Sequence, residues 1–178
     1  MTTPRPPIVD PAFGSIGDPA TTPALAPALD RTAPPFGGAD GRGHAPAVEL
    51  ALAAHALAAQ AKAYAPYSKF RVGAAIQMSG QIFEGANVEN ASYGLGVCAE
   101  RTAVFAAVVA GAHTLEAVTV CTDASPPSSP CGACRQVLFE FARDAAAVVV
   151  TAINPAGERR AWTLAELLPD GFSGRELP

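Results

Sequence analysis

This chain has little of what marks a nucleic-acid or membrane protein. Charged residues make up only 16% of the 178 residues and net charge is −4. Lys62, Lys69, Arg71, Arg101 and Arg135 are scattered rather than clustered, so no basic patch is predicted to neutralise a phosphate backbone. No uninterrupted apolar run reaches the ~18 residues of a membrane span. The first residues also lack the short apolar core of a secretory signal. These absences predict a cytoplasmic protein with no nucleic-acid partner and no membrane partner. Aromatics are scarce, at 7%, while 49% of the chain is hydrophobic, much of it alanine. A core built that way favours close helix packing over bulky anchors. Only four cysteines occur. Without a signal they point to reduced thiols, metal binding or catalysis rather than to a disulfide framework.

Composition divides the chain. Ten of the 17 prolines lie in residues 1–46, mixed with Ala, Thr, Gly and Asp. Such a segment cannot bury enough surface to offset its ordering entropy, which predicts a disordered Pro/Ala/Gly-rich extension followed by one domain at 47–178. In the domain, Leu50, Leu57, Ala61 and Tyr64 lie on one helical face, and Pro66 is expected to stop that helix. His55 in its middle reads as an exposed surface histidine. The alternation of Val72, Ala74, Ile76 and Met78, a turn at Ser79-Gly80 and a return through Ile82-Phe83-Glu84 predict a hairpin. A helix is expected from about Cys98 to Ala110, with Gly111 just past its end. It is apolar nearly all round, which implies burial on more than one side, in a core or a subunit interface.

A short apolar strand at 118–122 follows, then a helix from about Cys131 with Cys134, Val137, Leu138 and Phe141 as its inner stripe, then a buried strand at 146–153. Arg159 to Trp162 returns from a turn, and Thr163 with Glu166 reads as a capping box for a last short helix. His113 reads as a surface residue. Together these predict an α/β domain, a three-layer α/β/α sandwich on a mixed sheet of about five strands.

The chemistry concentrates in two stretches, Cys98-Ala99-Glu100-Arg101 and Pro130-Cys131-Gly132-Ala133-Cys134. Cys131 and Cys134, spaced i and i+3, present both sulfurs on one side of a helix start, where unpaired N–H groups favour thiolates. Cys98 sits at a second helix start. Three thiols can hold zinc and leave its fourth position open, with a carboxylate two residues from the first thiol free to handle protons. Three thiolates would make water at the metal less acidic, and the Arg101 guanidinium can draw off that charge. Each residue also has a plainer reading. The Cys131/Cys134 pair alone could be redox-active or structural. Glu100 could be an ordinary first-turn acid, Asn87 and Glu89 ordinary loop polars, and Phe70 and Phe172 core aromatics. Cys121 could be a fourth ligand, although a buried apolar thiol fits its spacing better.

The two cysteine stretches resemble those of the zinc nucleoside deaminases, and most closely the small tetrameric cytidine deaminases. The resemblance spans about residues 47–173 and takes in 63–70, 85–93, Leu167-Leu168-Pro169 and Phe172. It implies one Zn²⁺ per subunit on Cys98, Cys131 and Cys134, with water in the fourth position, and Glu100 as the proton carrier. The reaction implied is hydrolytic deamination of cytidine and deoxycytidine to uridine and deoxyuridine plus ammonia, as in pyrimidine salvage. Asn87 and Glu89 would hold the ribose hydroxyls, Phe70 would pack near the nucleoside, and the backbone at Ala99 would contact the base. Tyr93 would line the site, and Phe172 would reach a neighbouring subunit's site in a homotetramer. Two other readings stay open: a deaminase of another aminopyrimidine such as the blasticidin-S type, and a zinc-stabilised module without catalysis. Nucleic-acid editing is disfavoured by the acidic balance.

Overall fold

A computed structural model describes residues 45–177; the expected disordered extension falls almost entirely on residues outside that range. The first helix, α1, spans Pro46–Gln60, with Pro46 at its first position, where a missing N–H costs nothing. Strands β1 (Val72–Met78) and β2 (Gln81–Ala86) form the expected hairpin. Both turn residues adopt positive φ, 50° at Ser79 and 77° at Gly80, which matches the twist of the flanking strands. Then come α2 (Ala99–Val109), β3 (Leu115–Thr122), α3 (Gly132–Phe141), β4 (Val149–Ile153), β5 (Arg159–Thr163) and α4 (Leu164–Leu167). The Thr163/Glu166 capping box is present in full.

The five strands run in the order β2-β1-β3-β4-β5, with β3 and β4 parallel and the other pairs antiparallel. Strand alternation sorts the core into two layers. Ala75, Ala117, Cys121 and Ile153 face α1, through Leu52, Ala53 and Ala56. Ala74, Ile76, Met78, Val118, Val120 and Val150 face the other way, onto Ala103, Val104 and Ala107 of α2 and Leu138 of α3. This is the three-layer sandwich. Each fully buried Leu or Ile contributes about 1.5–3 kcal/mol of hydrophobic stabilisation.

Two glycines set the layer spacing. A Cβ at Gly73 would lie 2.1 Å from the Ala56 carbonyl oxygen of α1, and one at Gly85 would lie 2.2 Å from the Ala99 carbonyl oxygen of α2. The sheet therefore touches backbone on both faces, and the small residues at the contacts of both helices make that possible.

Three expectations are corrected. The buried face of α1 is Glu49, Leu52, Ala53, Ala56, Ala59 and Gln60, not the Leu50–Tyr64 stripe; Leu50 and Tyr64 are each 41% exposed. That helix ends at Gln60, well before Pro66. The β4 strand starts at Val149, because Ala146 and Ala147 are exposed. In the single chain α2 buries one side and leaves Phe105 and Val109 exposed, the face that the expectation of a core or a subunit interface leaves to a partner subunit.

Candidate active site

The site forms where two helix starts meet. Cys98 is the N-cap of α2 and Cys131 the N-cap of α3, both with extended backbone. The α3 helix follows the carboxyl end of β3, the usual position for ligands beside parallel strands. Cys98 Sγ lies 3.9 Å from Cys131 Sγ, which lies 3.5 Å from Cys134 Sγ. All three sulfurs fall within 4.8 Å of one another, and they are the only group with metal-ligating spacing among the described residues. Those separations bracket the roughly 3.8 Å edge of a tetrahedron with Zn–S bonds of about 2.3 Å. The thiols fit zinc in both chemistry and spacing. Cys134 is buried, Cys98 half-buried and Cys131 exposed, so the cluster opens to one side.

A hydrogen bond from the Cys134 thiol favours the Cys98 thiolate; against the cost of burial, and helped by Arg101 and Cys131, it brings Cys98 down to about 5. Cys134 is pushed up by the same hydrogen bond and by burial. The Arg101 guanidinium lies 3.5 Å from Cys98 Sγ and 3.4 Å from the Gly96 carbonyl. Its Nε is buried without a hydrogen-bond partner. Glu100, only 4% exposed, has its carboxyl raised, first by burial and further by the neighbouring Cys98 charge. A carboxyl raised in this way holds a proton more readily than an exposed one.

Cys98, Glu100 and Cys131 lie in a cleft of about 440 Å³ that also meets Phe70, Asn87, Glu89 and Tyr93. That volume suits a small-molecule ligand. Asn87 and Glu89 flank Val88, whose backbone pairs with Val97 while Tyr64 binds its neighbours: the Tyr64 N–H donates to the Asn87 carbonyl at 2.9 Å and the Glu89 N–H to the Tyr64 carbonyl at 2.8 Å. Two positions apart on a pinned extended stretch, their side chains share a face.

Residues 48–152 match the family model described as the cytidine and deoxycytidylate deaminase zinc-binding region. The chain belongs to this family. It is 46% identical over 127 residues to the cytidine deaminase of Sporosarcina psychrophila, covering 71% of this chain and 92% of that protein. It is 41% identical over 128 residues to the cytidine deaminase of Mycobacterium tuberculosis, covering 71% and 91%. Among solved structures, the cytidine deaminase from Burkholderia pseudomallei matches with a TM-score of 0.65 and 48% identity, covering 69% of this chain and 98% of that one.

Within this deaminase-family domain, the structure brings together most of the residues singled out from sequence. Phe70, 40% exposed, lines the cleft and is not a core aromatic. Asn87 is anchored: its Oδ1 accepts from the Val72 N–H at 2.8 Å and its Nδ2 donates to the Phe70 carbonyl at 2.9 Å. Glu89 accepts from the Tyr67 N–H at 2.9 Å, the Ser68 N–H at 3.2 Å and the Ser68 hydroxyl. The Ser68 hydroxyl chiefly, with those N–H groups, holds its carboxyl below the usual range. Ala99 is fully buried at the start of α2. Tyr93, on a 3-10 turn at Tyr93–Leu95, is 82% exposed at the cleft mouth, its ring 6.1 Å from that of Tyr67.

Phe172 does not join the cleft of its own chain. It is 56% exposed, and its carbonyl accepts from Gln136 at 2.7 Å. Cys121 lies apart, in the layer facing α1; its thiol donates to Gln60 Oε1 at 3.3 Å and is pushed up to about 12 by burial and by Asp123. It is a buried thiol, not a fourth ligand. His55 has a partner, Glu84, at 2.6 Å. Sequence reasoning missed Tyr67, Ser68, Ser128 and Ser129 around the site. The first two precede Phe70 with only Lys69 between, and the last two lie directly before Pro130, so proximity to those motifs was the available signal. It also missed Arg135, whose contacts exist only in the folded chain.

Proposed function

We propose that the chain catalyses hydrolytic deamination of cytidine and deoxycytidine, releasing ammonia. The observation that carries this reading is the buried Glu100 carboxyl beside three thiols that fit one zinc ion, at the floor of a cleft bearing Asn87 and Glu89. A purely structural zinc site has no use for a buried acid next to it. Zinc held by Cys98, Cys131 and Cys134 would supply Lewis acidity and activate water at neutral pH.

Glu100 takes one proton from the attacking water and passes it to ring N3 as C4 is attacked, then takes the second from the new C4 hydroxyl and delivers it to the leaving amine as the C4 carbonyl forms. Its raised carboxyl suits both directions of transfer. Arg101 draws charge from Cys98. Asn87 and Glu89 orient the sugar. After its two backbone bonds, the Asn87 carboxamide keeps one N–H and one lone pair, and after three donors the Glu89 carboxylate keeps room to accept from a hydroxyl. Phe70 packs against the nucleoside, the backbone at Ala99 meets the base, and Tyr93 closes the mouth.

The domain would comprise residues 47–178 with one zinc per subunit, in the cytoplasm. A homotetramer is supported by the exposed Phe105, Val109, Tyr93 and Phe172, which subunit contacts would cover, with Phe172 completing a neighbour's site. Metal analysis, sedimentation and loss of cytidine absorbance on purified protein test the reading together. Zinc near one equivalent and turnover are expected. Glu100→Ala should keep the zinc and lose at least about 10²-fold in kcat; undiminished turnover in that variant would overturn the mechanism.

A further inference from the structure

Arg135 follows Cys134 in the first turn of α3, where a cation opposes the helix dipole, so helix stability does not explain its place. Its donors all end on oxygen. Nε donates to the Pro130 carbonyl at 2.7 Å, one terminal nitrogen to Ser129 Oγ at 2.9 Å and the other to the Leu167 carbonyl at 2.9 Å. Two of these acceptors belong to the residues immediately before Cys131. The third is the last residue of α4, more than thirty positions away in the chain. Arg101, by contrast, reaches a ligand sulfur directly. The two arginines beside the cluster therefore do different work: one meets charge, the other fixes shape.

The same face of α3 grips the chain beyond α4 at two more points. Gln136 Nε2 donates to the Phe172 carbonyl at 2.7 Å, and a Cβ at Gly171 would meet the Phe139 ring at 2.9 Å. Residues 135, 136 and 139 thus hold the segment from 167 to 172, while Cys131 at the N-cap of the same short helix and Cys134 in its first turn carry two of the three thiols.

We propose that Arg135 is a positioning residue that ties the loop bearing Cys131 to the C-terminal segment, so that zinc binding and the placement of residues 167–172 are coupled. A planar guanidinium can satisfy three acceptors at once from a fixed fork, which a single ammonium cannot. Coupling of this kind is reciprocal: zinc firms the C-terminal segment by the same factor by which a well-seated segment tightens zinc. The proposal rests on the zinc reading of the three thiols, and on nothing about the reaction.

The test uses the full chain, with zinc affinity measured by competition with a chromophoric chelator and the C-terminal segment followed by limited proteolysis, with and without zinc. In the wild type, zinc binds and slows cleavage within 167–177. Arg135→Gln is expected to weaken zinc by roughly 10–100-fold, the usual effect of losing an outer partner of a metal site, and to abolish zinc-dependent protection. Arg135→Lys should fall between the two. Gln136→Ala, which frees only the Phe172 carbonyl, should loosen the C-terminal segment and, by the same coupling, weaken zinc, though less than Arg135→Gln. Equal zinc affinity in wild type, Arg135→Lys and Arg135→Gln overturns the proposal, as does protection that persists in Arg135→Gln. A wild type that binds no zinc defeats the zinc reading itself, and the proposal with it. Should Arg135→Gln fail to fold, Ser129→Ala and Arg135→Lys decide by the same two measurements.

Discussion

A single methyl group at Gly85 should disable the site from behind. The Cβ of Gly85→Ala would lie 2.2 Å from the Ala99 carbonyl oxygen and 2.4 Å from the Ala103 nitrogen. Ordinary contact begins at 3.4 Å, so α2 must retreat by about 1 Å, because both obstacles are backbone and neither can rotate aside. The first turn of that helix carries Cys98 and Glu100. Overpacking of this kind costs about 1–3 kcal/mol, a fall in Tm of roughly 4–12 °C. Displacement of the reacting groups by about 1 Å costs roughly 10²-fold in rate. Gly73→Ala is the matched control: its Cβ would lie 2.1 Å from the Ala56 carbonyl oxygen and 2.2 Å from the Gln60 nitrogen, but α1 carries no ligand. Thermal unfolding, zinc competition and steady-state deamination on both variants give the comparison. Both should lose similar stability, and only Gly85→Ala should lose zinc affinity and kcat beyond what its unfolded fraction explains. Equal losses of zinc affinity and kcat in the two variants would refute the idea that the Gly85 contact sets the site.

Two further outcomes are expected. Arg101→Ala should lower zinc affinity or kcat by roughly 10–100-fold, read by the same chelator competition and rate assay; unchanged zinc content and rate would remove its charge-balancing role. For Glu84, burial raises the carboxyl but hydrogen bonds from Lys62 and His55 outweigh it and hold the carboxyl below its ordinary 4.5. A lowered carboxyl stabilises the fold above about pH 4.5 and ceases to do so as pH falls through the lowered value. The Tm gap between wild type and Glu84→Gln should therefore close as pH falls below about 4.5, and it should be small, since exposed pairs contribute about 0–1 kcal/mol. A gap that widens in acid would contradict the sign.

The hairpin, the two thiol-bearing helix starts and the capping box could be read in advance because each is local. Ser79-Gly80 can hardly do anything but turn, and thiols at i and i+3 must share a helix face. The inward face of α1 could not be read that way. Its alanines offer no contrast between sides, and the side that packs is chosen by Gly73, which admits only Ala56 and the backbone beside it. In the same way the sequence placed Asn87 and Glu89 in a loop, but their orientation comes from Tyr64 and Val97, which clamp Val88 from both sides. Arg135 was invisible for a third reason: two of its three acceptors are backbone carbonyls, which leave no trace in residue type.

The split origin of the three thiols has a consequence for folding. Cys131 and Cys134 are neighbours in any conformation, but Cys98 is 33 residues from Cys131 and reaches it only after β3 has been threaded beside β1. In an unfolded chain, closing a loop of that length costs about 3–4 kcal/mol of entropy. The folded sheet has already met that cost, so zinc distinguishes the folded chain from the unfolded one by its third thiol. Zinc held by the three thiols would then act as a reporter of completed sheet assembly, and its supply would shift the folding equilibrium by mass action.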